Sequence, residues 1–443
     1  MSLLRLIPAY WRNRWETGIT LRRVTGNVVW LGAESLLRLV IAFFVGAWVA
    51  RALGPSQFGL LNYATAFCAP FAAFVALGIN SLVVRDLARE TEFEKEILGS
   101  AFGLKLCGAV MGFVVGGAAI MLTPRVDARA LGLIAITLAS LFLQTGDVLD
   151  LWFQGRGEAR IPAWIRSGSS LLTNALKVGL VLLDASLYWF AVASVVELLF
   201  TMLGCLIAYY RRCTGSRQWQ WNGARARRLL AEAWPLAGAG VAIQIQAYCD
   251  QVLLGSMSSA EEVGIYAAAI RLVAVFGFLP VAVATAAAPE ITRAYASGKP
   301  TYYRRIRDVY RFMLLAGLLM GLPLLVMPIT IVKMVFGPIF LPAAVLLPLM
   351  SIRVLLGNLG VARGLFLTNE NMFTHAFITA CVGAVLNIIL NLIFIPRWGA
   401  MGCVVSSLLS FTANVVLCEV LHPRGRINLR LMLSAIGLGR VPE

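Results

Sequence analysis

The chain has 443 residues, of which 59% are hydrophobic and only 14% charged, with a mean hydropathy of +0.80 and a formal net charge of +16. Soluble domains are about 45–50% apolar and about 25% charged, so this composition excludes a soluble globular protein. The excess lies in blocks of roughly 20–25 apolar residues, the length that crosses a hydrocarbon core about 30 Å thick.

In chain order, the first 26 residues carry five arginines and no apolar core ahead of a small-residue cleavage site, which predicts a segment that is kept rather than removed. Twelve apolar blocks follow, at approximately 27–50, 58–82, 98–122, 130–153, 162–184, 187–210, 233–257, 265–288, 309–333, 342–366, 374–395 and 400–421. The longest internal break, residues 211–232 (RRCTGSRQWQWNGARARRLL and following), is basic and comes after the sixth block. The chain therefore reads as an N-terminal segment 1–26, a first half 27–210, a linker 211–232, a second half 233–421 and a tail 422–443.

Lysine and arginine fix the expected orientation. The two tails, alternate loops and Arg311 hold 26 of them on one side; the opposite loops hold four, Arg51, Arg125, Arg129 and Arg397. Both termini are expected in the cytoplasm. The same bias accounts for the net charge through topology and contact with anionic lipid, so no nucleic-acid partner is expected. FGLLN at 58–62 is echoed by VGIYA at 263–267, an offset of 205 residues. An even number of spans per half makes the repeats parallel, about an axis along the membrane normal. The expected fold is all-α: a polytopic membrane protein of about 12 transmembrane helices, in two pseudo-twofold-related six-helix lobes around a central cavity.

Several chemistries are missing. No GxxxxGK[ST] phosphate loop occurs, since GPSQFG at 54–59 lacks the lysine. With His375 and His422 the only histidines, zinc-protease and histidine-triad sites are ruled out, and seven of eight cysteines sit in apolar blocks without a CxxC pair. No cofactor or metal is expected. Gly108, Gly112 and Gly116 step every four residues, as in a helix-packing face.

The informative residues are charges inside the spans. Basic ones are Arg38, Lys105, Arg166, Lys177, Arg271, Lys333, Arg353 and Arg363; acidic ones are Glu34, Asp147, Asp150, Glu197 and Asp250. Each costs roughly 2.5–3.5 kcal/mol at the bilayer centre, so most should face protein or a water-filled cavity. Arg166, Ser170, Thr173 and Lys177 share one helical face; so do Gln244, Tyr248 and Gln251, and so do His375, Thr379, Gly383, Asn387 and Asn391. Such stripes line a pathway or bond helices together. Glu34 and Arg38, four apart, form either a self-contained ion pair or part of an interior that receives an anion. The excess of bases favours the anion, and the planar fork of arginine suits phosphate.

The stretches VARALGPSQFGLLNYA (49–64), LWFQGRGEAR (151–160), DQVLLGSMSSAEEVGIYAAAIRL (250–272), LPVAVATAAAPEI (279–291) and LNIILNLIFIPRWGAMG (386–402) resemble the polysaccharide-biosynthesis flippases of the multidrug/oligosaccharidyl-lipid/polysaccharide superfamily. The resemblance covers nearly the whole chain. It implies a transporter, not an enzyme, that turns a polyprenyl-pyrophosphate-linked glycan repeat unit across the bacterial inner membrane by alternating access, coupled to an ion gradient or the membrane potential. Such a role belongs to O-antigen or lipopolysaccharide assembly, with membrane lipids and other polysaccharide-assembly proteins as further partners. Basic cavity residues are then expected to hold the pyrophosphate: Arg38 and Arg271 match best by position. Arg166, Lys177, Arg353, Gln244 and Tyr248 follow from the stripes, and Glu34, Asp250 and Glu197 are the candidates for ion coupling. Three other readings stand beside this one: a cation-coupled multidrug exporter of the same superfamily, a membrane glycan polymerase or ligase, and a structural membrane subunit.

Overall fold

The computed structural model describes residues 19–122, 127–213 and 218–437, with side chains from residue 35 onward except at Thr91, Pro235, Leu236 and Ala239. No strand occurs among them. The helices are α1 (Ile19–Ala76), α2 (Asn80–Arg89), α3 (Glu94–Leu122), α4 (Ala128–Gln144), α5 (Asp147–Gly155), α6 (Arg160–Leu182), α7 (Leu187–Arg212) and α8 (Gly223–Met257). They continue as α9 (Ala260–Phe276), α10 (Phe278–Ser297), α11 (Lys299–Val326), α12 (Pro328–Val335), α13 (Leu347–Asn369), α14 (Phe373–Trp398), α15 (Ala400–Val415) and α16 (Pro423–Ala435).

Nine segments among the described residues are long and apolar enough to cross a membrane. One of them, Ser35–Arg89, is 55 residues long and holds two crossings. The break between those crossings is Gly54, whose φ of 71° and ψ of 171° are open to glycine and strained for any residue with a Cβ. Pro55 follows, and its missing N–H costs nothing at the start of a new helix. Helices α6 and α8 make up the twelve; their charges and amides lower their hydropathy. Local chemistry sets several ends. Asn222 Oδ1 accepts from the main-chain N–H of Ala224 at 3.0 Å and Arg225 at 3.2 Å, Asp127 accepts from that of Arg129 at 3.2 Å, and Ser259 accepts from that of Glu262 at 3.2 Å.

Burial divides the molecule by depth. At the end that carries the arginine-rich loops, here the basic end, each half has its own core. One gathers Ile79, Leu98, Trp152, Phe153 and Tyr209 from the first half. The other gathers Tyr302, Tyr310, Met313, Phe366 and Leu431 from the second. Toward the opposite end a single core joins both halves, from Ala50, Phe58 and Leu133 to Tyr266, Phe340 and Cys403. The two lobes thus share apolar packing at one end and keep separate cores at the other.

The apposition is nearly symmetric. A Cβ on Gly59 would lie 1.6 Å from the carbonyl oxygen of Ala260, and one on Gly264 would lie 2.0 Å from that of Pro55. Both pairs are related by 205 residues, the offset of the sequence echo, so the repeats meet back to back through two glycines. Beside them Phe58 packs edge-on against Phe340 with centroids 6.0 Å apart, and Arg51 Nη2 donates to the Met334 carbonyl of the other lobe.

At the basic end the linker is fastened to the first lobe. The Gln220 N–H donates to Lys95 O at 3.1 Å, Ser100 Oγ donates to Asn222 O at 3.1 Å, and Trp219 Nε1 donates to Tyr209 Oη at 3.1 Å. The strap fits because α3 has glycine beneath it: a Cβ on Gly99 would meet Gln220 O at 2.3 Å, and one on Gly103 the Trp221 ring at 2.4 Å. The first turns of α8 are tied to the same lobe by Arg225–Glu90 at 2.7 Å and Arg85–Glu232 at 2.8 Å.

Candidate functional site

Just below the shared core lies a cavity of about 270 Å³. Helix α1 supplies Gly46 and Val49 before its break and Phe58, Leu61, Asn62 and Thr65 after it. Thr137 and Ser140 come from α4, Lys177 from α6, Ser194 and its neighbours from α7, and Arg271 from α9. Arg271 is thus the one lining residue that reaches in from the second lobe. The described lining holds two cations and no carboxylate.

The geometry leaves both cations with capacity to bind. The Arg271 guanidinium sits in the notch left by Gly46, where a Cβ would lie 2.2 Å from Nη2. Its contacts are a long 3.5 Å hydrogen bond to Gly46 O and the face of Phe58, 5.8 Å from the ring centroid. Five N–H donors with one distant acceptor can still grip an anion in bidentate fashion. Lys177 makes no hydrogen bond or ion pair among the described residues; it lies within electrostatic reach of Glu197 and Arg271. The hydroxyls of Thr65, Thr137, Ser140 and Ser194 donate back to carbonyls on their own helices, at 2.9, 2.8, 2.6 and 3.3 Å. That leaves their oxygens as acceptors for sugar hydroxyls or water.

The other candidates lie elsewhere. Arg38 is half-buried on α1, eight residues and about 12 Å of helix rise before Gly46 toward the basic end. The side chain of Glu34 lies outside the described residues. Arg166 forms an ion pair with Asp150, and buried Lys105 faces Asp147 at 3.8 Å, so these four charges answer one another within the first lobe. Arg353 stacks on Phe411 with its guanidinium carbon 5.3 Å from the ring centroid. Gln244 Nε2 donates to Ala69 O at 3.3 Å, across the lobe boundary, and Tyr248 is half-buried on α8. None of these described side chains lines the cavity. Glu197 is half-buried on α7, within electrostatic reach of Lys177.

Asp250 has a site of its own inside the second lobe. It is 1% exposed and accepts from Tyr266 Oη at 2.6 Å, Asn391 Nδ2 at 2.6 Å and the Ser407 hydroxyl. These donors come from α9, α14 and α15, so the carboxylate ties three helices to α8. No cationic side chain pairs with it among the described residues. Beside it the Asn391 Oδ1 is buried and has no hydrogen-bond partner. The carboxylate is thus held by neutral donors alone, beside an acceptor that has none.

The α14 stripe read from the sequence is buried along its length, but it serves two clusters. Asn387 and Asn391 belong to the Asp250 site. His375 and Thr379 belong to a network about Glu419, which is fully buried and pairs with Arg363 at 2.6 Å. His375 Nε2 lies 3.2 Å from the Glu419 carboxylate, Asn428 Nδ2 donates to it at 3.0 Å, and Arg363 also donates to Thr379 at 2.9 Å. Sequence reasoning passed over Asn62, Thr65, Thr137 and Ser140 as cavity residues. The i, i+3 spacing of each pair was available as a signal; what selects them is proximity to α6 and α7.

Two family models match the chain, one described as polysaccharide biosynthesis protein over residues 24–295 and one as lipid II flippase MurJ over residues 169–434. A probable low-salt glycan biosynthesis flippase of Haloferax volcanii is 23% identical over 91% of this chain and 86% of its own length. Among solved structures, a lipid II flippase MurJ in an inward closed conformation superposes with a TM-score of 0.72 at 13% identity, covering 92% of this chain and 91% of that one. An inward-facing multidrug resistance MATE family transporter gives 0.70 at 16% identity, with coverage of 90% and 96%.

Proposed function

We infer that this chain, which belongs to the polysaccharide biosynthesis protein family of the multidrug/oligosaccharidyl-lipid/polysaccharide superfamily, is a flippase for a lipid-linked glycan. The observation that carries the reading is the polarity of the cavity: Lys177 and Arg271 project into it, with hydroxyls and an amide around them and no carboxylate in its described lining. A polyprenyl-pyrophosphate headgroup matches that lining. Its phosphates meet the two cations and its sugar hydroxyls meet Asn62, Thr65, Thr137 and Ser194. A cationic drug would face two like charges in the same space, which disfavours the exporter reading.

The physical task is to carry a headgroup with two phosphates and several sugars past hydrocarbon while its tail stays in the bilayer. The cavity has only to replace the water around the headgroup. Arg271 comes from the second lobe and the rest of the lining from the first, so bound anion holds the lobes together at that level. Exchange of sides then requires the apposition at Gly59 and Gly264 to part and the basic ends of the lobes to close. By the charge bias of the loops the basic end is cytoplasmic, which makes the described state open to the cytoplasm. Arg38, farther toward that end on α1, is an early contact for the entering pyrophosphate.

Asp250 is the coupling residue in this reading. Uptake of a proton or a monovalent cation would neutralise the carboxylate and satisfy Asn391 Oδ1. It would also change the hydrogen bonds that fix α9, α14 and α15 to α8, the helix that joins the lobes. Binding at Asp250 and at the cavity would thus bias one equilibrium from two places.

The test is thermal stabilisation of purified protein by a short-chain polyprenyl pyrophosphate sugar, set against a lipophilic cation, with wild type beside an Arg271→Ala/Lys177→Ala variant. Stabilisation by the pyrophosphate that the variant loses is the expected result. Stabilisation by the cation alone would overturn the assignment.

A further inference from the structure

A second concavity, of about 400 Å³, lies on the outer wall of the first lobe where α6 and α7 part at the basic end. Its sides are Ile161, Trp164 and Ile165 from the first turns of α6 and Ile207 and Ala208 from the last turns of α7. Gly204 forms the floor; a Cβ there would lie 2.5 Å from Ile165 Cγ2. At the mouth stand Arg211 and Arg212. Arg212 donates to Glu158 at 3.0 Å, whereas Arg211 is exposed and has no hydrogen-bond or ion-pair partner among the described residues.

The trough is apolar along the helices and positive where they emerge. Trp164 is 62% exposed and Ile207 54% exposed on its rim. Tryptophan and arginine at this depth mark the boundary between hydrocarbon and headgroups. One mouth arginine is partly neutralised by Glu158 and the other is not, so the mouth carries a net positive charge. We propose that the groove is a specific site for an anionic phospholipid of the leaflet at the basic end. Its phosphate rests on Arg211 with Arg212, and one acyl chain lies along Ile165, Ile207 and Ala208. A zwitterionic lipid offers the same chain and phosphate, but its head also places a cation against the two guanidiniums. That repulsion makes the site selective for head charge rather than for apolar bulk. The site is independent of the cavity, which uses Lys177 and Ser194 on other turns of the same two helices.

The experiment counts lipids on the detergent-purified protein by native mass spectrometry. It titrates phosphatidylglycerol against phosphatidylcholine with the same chains. One tightly held phosphatidylglycerol is expected, preferred about tenfold. Each surface arginine contributes roughly a fivefold preference for an anionic lipid. Arg211→Gln, which breaks no contact, should remove most of that preference while leaving weak binding of both lipids. Ala208→Trp, which fills the groove, should remove the one tight lipid whatever its head. Equal affinity for both lipids in wild type, or an unchanged preference in both variants, would overturn the proposal. So would displacement of the tight lipid by a stoichiometric polyprenyl phosphate, which would make the groove a rest for the substrate's own tail.

Discussion

The glycine crossing at Gly59 and Gly264 gives the sharpest mechanical prediction. A methyl group on Gly59 would sit 1.6 Å from the Ala260 carbonyl oxygen. Ordinary contact is about 3.4 Å, so the two helices must separate locally by roughly 1.8 Å, and a backbone carbonyl cannot swing aside as a side chain can. Overpacking of this kind costs about 1–3 kcal/mol. It is felt only where the lobes touch at that end, so it biases the two states by about 5- to 150-fold toward separation there. Gly264→Ala, aimed at Pro55 O 2.0 Å away, should act alike because the repeats are related by pseudo-symmetry. Gly357→Ala is the control, since a Cβ there meets nothing within 4 Å. Spin labels at Arg129 and Arg397, exposed beyond the crossing and one in each lobe, report the separation by pulsed electron paramagnetic resonance. Both crossing variants should gain a longer distance component that the control lacks. Folded variants with the unaltered wild-type distribution would refute the argument that this contact sets the balance.

Five further outcomes follow from the other residues described above. Arg271→Ala should weaken binding of the pyrophosphate ligand by about 10- to 150-fold, the worth of a charge-assisted hydrogen bond of roughly 1.5–3 kcal/mol; Arg38→Ala should also impair glycan export in cells while the protein inserts normally. Asp250→Asn should leave ligand binding intact but abolish the dependence of transport on pH or on the cation gradient, measured in proteoliposomes. Glu419→Gln strands the Arg363 guanidinium among neutral partners, and a broken buried pair costs about 3–5 kcal/mol, so thermal unfolding should fall sharply with little change in ligand specificity. Arg225 holds the Glu90 carboxyl, and Arg85 with Arg228 holds the Glu232 carboxyl, below the usual carboxylate range. A depressed folded pKa means that the linker's attachment is complete above the ordinary carboxylate pKa and weakens as pH falls through the lowered value. Hydrogen exchange over residues 218–232 should therefore stay slow from neutral pH down through the ordinary carboxylate range, after correction for the intrinsic rate, and speed up only below that range.

Much of the architecture was legible because membranes leave few choices. Every backbone group must be satisfied within the helix that crosses, so length and hydropathy mark the spans. The 205-residue echo also placed Gly59 and Gly264 in equivalent positions, although nothing in the pattern said that they meet. Periodicity identified buried faces correctly on α14 but treated His375 through Asn391 as one stripe.

Partnership needed the tertiary structure. Arg166 and Lys177 lie on one stripe of α6, yet the first meets Asp150 and the second opens into the cavity. That difference arises from which neighbour each turn of the helix passes, a property of packing between elements distant in the chain. For the same reason burial in a span does not by itself separate Arg271 from Arg353, although the family resemblance put Arg271 first. Only the approach of α9 to the Gly46 notch of α1 turns the former into a cavity cation, while Phe411 covers the latter. That charges lie buried in a membrane follows from residue type and span length, which set their desolvation cost; which of them a partner neutralises and which are left to bind is a matter of packing between helices.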